Sequence, residues 1–132
     1  MGSDNRTRTE RFRELVSLYL AAEFRIVTRR RPWRTPPAAQ YQANPEFHEL
    51  GDLRGIPDVA LTVQARRTLN LTVGLDRAVE AARADRKSLG FLIQHREQRD
   101  TGEMYVVCTL DTLGRVLQRL ERLQELEERV AA

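Results

Sequence analysis

The sequence predicts one small α/β domain, a mixed β-sheet flanked by helices and closed by a long C-terminal helix. Three observations lead there. Segments with the 3.6-residue period of an amphipathic helix alternate with short runs of strand period. They come in the order helix, strand, one or two strands, helix, strand, strand, long helix, and helices interleaved with strands in this way cover the faces of a sheet. A chain of 132 residues also suffices for one hydrophobic core and leaves little room for a second.

Residues 1–8 are polar and without period, and are expected to form a flexible tail ahead of a domain spanning 9–132. From Thr9 to Phe24 the apolar residues Phe12, Leu15, Val16 and Tyr19 recur on one helical face. Arg25–Arg29 alternates polar and apolar as a short strand would. Residues 30–47 carry Pro32, Pro36 and Pro37 and have no period, the mark of a long loop. Gly51–Pro57 is turn chemistry around a short extended piece. Val59–Val63 reads as a strand, extended by Leu69–Leu71 after a bend at Arg66 and Arg67.

Helical spacing returns over Thr72–Arg86, with Leu75, Ala78, Val79 and Ala82 on one side. Gly90–Gln94 is a compact apolar strand, and the polar stretch His95–Glu103, with Asp100-Thr101-Gly102, turns into a strand at Met104–Thr109. Asp111 is expected to cap a final helix over 111–130. Its apolar face is Leu113, Val116, Leu117, Leu120, Leu123, Leu126 and Val130. The spacing is too irregular for a clean heptad, so this face is either core or a seam for a second copy.

Composition narrows the functional classes. A hydrophobic fraction of 41% beside 31% charged residues excludes wholesale disorder and a disulfide scaffold. No apolar run approaches the roughly 20 residues that span a bilayer, so no membrane partner is expected. Cys108, the only cysteine, cannot form an intrachain disulfide, which points to a reducing cytoplasm. Of the 22 basic residues only Lys87 is a lysine. Up to Arg67 there are 12 arginines against 8 acids; from Thr68 onward 10 basic residues face 11 acids. The basic side toward the front favours a polyanionic partner, and the planar fork of arginine suits phosphate oxygens.

Asp52 precedes a strand on which Thr62 and Gln64, two residues apart, project to the same face. An acid on a turn followed by two polar side chains at that spacing is how metal-dependent nucleases of the PD-(D/E)XK type build a site. Such a site needs paired carboxylates for Mg²⁺ and a lysine to polarise the attacking water.

Several stretches taken together resemble small Holliday-junction-resolvase-like proteins of phages. They are Gly51-Asp52-Leu53-x-Gly55-x-Pro57, Thr62-Val63-Gln64, Leu69-x-Leu71 and Leu75-Asp76-Arg77-Ala78. That family typically reads G-D-I-x-G-x-P, E-V-K, L-D-L and W-x-D-Q-A. The likeness continues through Ile93-Gln94-His95-Arg96 and Met104-Tyr105-Val106-Val107, and the opening helix from Phe12 to Leu20 is similar as well. It covers roughly Arg11 to Leu120. What the resemblance implies is a restriction-endonuclease-like fold with DNA, duplex or branched, as partner.

The departures bear on chemistry. Arg13 stands where the family carries a helix glutamate, Thr62 and Gln64 where it carries Glu and Lys, and Arg77 where it carries Gln. Asp52 alone matches, leaving a vestigial catalytic set of Asp52 and Gln64 with Arg13, Thr62 and Arg77. Glu14 is rotated about 100° away on the helix. Asp58 lies about 13 Å along the strand from Thr62. Neither replaces the missing carboxylate. No cofactor is expected, or Mg²⁺ held by Asp52 if cleavage survives.

Phosphate contacts are expected from Arg29, Arg30, Arg31, Arg66, Arg67 and Arg96. Trp33 is placed either to stack on a base or to pack over its own loop. His95 matches a family histidine, His48 has no metal-ligating neighbour at zinc spacing, and Cys108 reads as a small core residue. Three functions follow as expectations: a resolvase-like domain with a decayed site that binds DNA phosphates or serves as a scaffold, a virion structural part of the head or neck, or a working junction-cleaving nuclease. A homo-oligomer through the C-terminal helix and contacts with phage structural proteins belong to the same reading, with the host cytoplasm or the virion as the location.

Overall fold

The computed structural model describes residues 2–30, 52–65 and 70–131. Among the described residues the architecture is the expected α/β domain, with a mixed sheet and three helices. In chain order they are α1 (Gly2–Phe24), β1 (Arg29–Arg30), β2 (Leu53–Arg54), β3 (Val59–Gln64), α2 (Leu71–Ala84), β4 (Leu89–Gln94), a 3₁₀ turn (Thr101–Glu103), β5 (Tyr105–Val107) and α3 (Leu110–Ala131). The strands lie side by side in sequence order. β3 and β4 are parallel, joined by α2 as the crossover, and every other pair is antiparallel.

Both faces of the central strands are covered, which is why β3 and β4 read as nearly continuous apolar runs. On one face Phe12 and Val16 of α1 meet Leu53, Leu61, Val63, Ala65 and Ile93. On the other, α2 comes very close. A Cβ placed on Gly90 would stand 2.8 Å from the Ala82 Cβ, and one on Gly74 would stand 2.6 Å from Gln64 Oε1. Small residues on both sides of this contact set the distance between helix and sheet.

Several boundaries differ from expectation. Residues 2–8, expected as a tail, continue α1; they carry no apolar residue to mark a period. The expected strand at Arg25–Arg29 is displaced to Arg29–Arg30. Arg25 takes a left-handed φ of 58° and returns its N–H to the Ala21 carbonyl, an αL cap that ends the helix and reorients the chain. Leu71, expected to extend a strand, opens α2 instead, because Asn70 accepts the Val73 N–H and caps it. Thr109, not Asp111, caps α3: its Oγ1 accepts the Thr112 N–H, while Asp111 sits inside the first turn and pairs with Arg115. Leu15 and Val79, expected on buried faces, are exposed.

α3 touches the body mainly through its first turns. Thr112 is buried, Arg115 donates to the Ser88 carbonyl, and Arg119 pairs with Asp58. Asp58 holds a left-handed φ of 62° in the turn before β3 and also accepts the Ser88 N–H. Among the described residues no helix is long and apolar enough to cross a membrane.

Candidate functional site

β2 and β3 bring Asp52 to the position the sequence suggested. The Asp52 N–H donates to the Leu61 carbonyl, one step along from the Leu53–Leu61 register pair, so Asp52 lies alongside Thr62. α1 delivers Arg13 to the same place. Its Nη2 stands 2.6 Å from Asp52 Oδ1, and the Val63 N–H donates to Asp52 Oδ2 at 2.6 Å. The guanidinium also reaches Glu10 at 2.7 Å. The ion pair is inside the protein, with Asp52 2% and Arg13 7% exposed.

Thr62 and Gln64 do share a strand face, and both are buried. Parallel register sets Gln64 directly beside Gln94. Gln64 Nε2 donates to Gln94 Oε1 at 2.7 Å, and Gln94 Nε2 donates in turn to the His95 carbonyl at 3.0 Å. Gln94, at 1% exposure, is a member of this cluster that the sequence reading quoted but did not assign. The signal was available, since both apolar strands end in glutamine. Thr62 Oγ1 is buried without a hydrogen-bond partner among the described residues.

This donor set does not fit a divalent cation. Magnesium and calcium ask for several oxygen ligands, commonly more than one carboxylate. Here the one buried carboxylate has an oxygen on a guanidinium and the other on a backbone N–H, Glu10 is engaged by that same guanidinium, and the nearby amides bind each other. Among the described residues no group of three His, Cys, Asp or Glu is placed to hold a metal. As arranged, these are two buried polar pairs: Arg13–Asp52 joins α1 to the start of β2, and Gln64–Gln94 joins β3 to β4 where α2 covers the sheet.

The remaining expected residues are dispersed. Arg77 is exposed on α2 and is not among the buried residues. Arg29 is exposed on β1. Arg96 lies with its guanidinium carbon 4.1 Å from the Tyr105 ring centre and donates to the Glu103 carbonyl, so it braces the turn into β5. Arg31, Trp33, His48, Arg66 and Arg67 lie outside the described residues, as does the side chain of Arg30. Cys108 is half-buried.

The surface next to the cluster carries a feature the sequence reading missed. Thr7, Arg8, Arg11, Phe12 and Leu15 of α1, with His95 and Glu97 after β4, line an open cleft of about 480 Å³. Arg8 and Arg11 are one helical turn apart, on the side adjoining Phe12. The Phe12 ring meets the His95 ring edge-on at 5.0 Å, and the His95 N–H donates to the Gln64 carbonyl. The cleft is thus walled by the elements that carry the buried pairs. Its polar lining is two guanidiniums and an imidazole against one carboxylate, groups whose N–H donors could hold anionic oxygens. The signal was the Arg-rich run Arg6, Arg8, Arg11 and Arg13, half of which fell in the expected tail.

No family model, curated protein or solved structure matches this chain.

Proposed function

We propose that the chain is a non-catalytic DNA-associated domain that grips phosphates through the Arg8–Arg11–His95 cleft, on a scaffold resembling small phage resolvases. The observation that carries the non-catalytic part is the buried Arg13–Asp52 ion pair. A positive charge is bound where hydrolysis would require a metal, and removing it would leave an uncompensated buried carboxylate.

DNA is the favoured polyanion because the chain carries net charge +3 with almost all of its cation in arginine, and because the cleft is open and lined by Arg8 and Arg11 of α1. Phosphate contacts of this kind position a protein without reading sequence.

The test is a salt-titrated binding assay on four-way and linear duplex DNA. Affinity is expected to fall steeply with salt, with log K against log[salt] losing about 0.9 per phosphate contact. Arg8→Ala with Arg11→Ala should weaken binding to all sequences alike and flatten that slope by about 2. Salt-insensitive or undetectable binding overturns the proposal. Cleavage of either DNA in Mg²⁺ or Mn²⁺ that Asp52→Asn abolishes overturns its non-catalytic part.

A further inference from the structure

The C-terminal half of α3 is helix that no other described element buries. Every residue from Glu121 to Ala131 is exposed. A stretch this short is marginal as an isolated helix in water and ordinarily takes its stability from packing an apolar face. The apolar face exists: Leu113 is 43% exposed, Leu120 48%, Leu123 56% and Leu126 53%. Val116, which shares the stripe in sequence, is half-buried and turned toward the body.

The spacing of the stripe says what covers it. Leu113, Leu117, Leu120, Leu123, Leu126 and Val130 follow one another in steps of four, three, three, three and four residues. That series is the same read in either direction. A two-fold symmetric contact requires a patch complementary to itself, and an antiparallel pair of helices meets this requirement when the spacing is palindromic. We infer that α3 is the seam of a homodimer in which two copies of the helix pack antiparallel. Leu120 lies against the partner subunit's Leu123 at the centre, Leu117 against the partner subunit's Leu126 and Leu113 against the partner subunit's Val130.

Steps of three fall short of the 3.6-residue turn, so the stripe winds around the helix and two copies cross at an angle. The strongest contact therefore falls at the central leucines. Roughly half of each of six side chains, from two copies, amounts to on the order of 1,000 Å², at the low end for a specific interface. The dimer is accordingly one that exchanges with monomer.

Sedimentation velocity of the full chain, from sub-micromolar to hundreds of micromolar, is expected to show a monomer–dimer equilibrium. Leu120→Glu with Leu123→Glu should hold the chain monomeric throughout while far-UV circular dichroism of its body elements persists. Orientation is read with Cys108→Ala as background. Leu117→Cys and Leu126→Cys chains, mixed and mildly oxidised, should cross-link to each other. Each alone should not, because antiparallel pairing separates identical positions by about 13 Å along the axis. A monomer at every concentration, a higher oligomer, or self-cross-linking of each single variant with none in the mixture overturns the inference. These readouts use no DNA, so they stand or fall separately from the phosphate-binding proposal.

Discussion

The ends of β2, β3 and β4 and the far end of α3 reverse the usual placement of side chains. In the first region Arg13, Asp52, Thr62, Gln64 and Gln94 are buried; in the second Leu117, Leu120, Leu123, Leu126 and Val130 face outward. Most of the buried polar groups are matched by charge or hydrogen bond, to each other or to the backbone. The exposed apolar ones have no such closure among the described residues. Burial of polar groups marks where the fold is internally complete, and exposure of an apolar stripe marks where it is not.

The sharpest way to break that comparison is to remove one half of the buried pair. Arg13→Ala leaves Asp52 buried against a backbone N–H alone and should cost about 3–5 kcal/mol in chemical denaturation. A much smaller loss would mean the pair is solvated. Gly90→Ala forces a methyl against Ala82 and should cost about 1–3 kcal/mol by the same measurement.

Thr62→Val removes a buried hydroxyl without a partner while keeping its shape, and should stabilise the protein by about 1 kcal/mol. Destabilisation would reveal a hydrogen bond to that hydroxyl. Thr109→Ala should cost about 1 kcal/mol, whereas Asp111→Ala should cost less, since only Thr109 caps α3.

The smallest effect concerns acid. Hydrogen bonds from Arg119 and then from Ser88 lower the Asp58 carboxyl from 3.8 to about 2. A carboxyl with a depressed folded pKa contributes fully above its unfolded value. The tether of α3 to the turn before β3 is therefore complete above about pH 4 and disappears as pH falls toward 2. Arg119→Gln should reduce the loss of stability across that interval, and an acid limb unchanged by the substitution would assign it to other groups.

β3, β4 and α2 were legible because their patterns are local. Apolar runs and a 3.6-residue period identify them without knowledge of neighbours. The first turns of α1 carry no apolar residue, so the period that located the helix at Phe12 said nothing about where it begins. Asp111 is a favourable cap residue by type, but the helix begins one residue before it, so the hydroxyl of Thr109, which the sequence places at the end of the preceding strand, takes that role. At the site, Asp52, Thr62 and Gln64 were found from spacing alone. The partners Arg13 and Gln94 come from α1 and β4, and only three-dimensional register could show what they bond. Periodicity likewise states which residues of α3 share a face and is silent on what lies against it.

The Gln64–Gln94 hydrogen bond has a further effect on the sheet. A two-residue offset between parallel strands keeps every side chain on its own face, so the face pattern by itself does not forbid it. Two carboxamides that must find each other in a dry interior make most offsets expensive, since any slip strands both among hydrocarbon. The amides thus act as a vernier mark, holding β3 and β4 in one alignment.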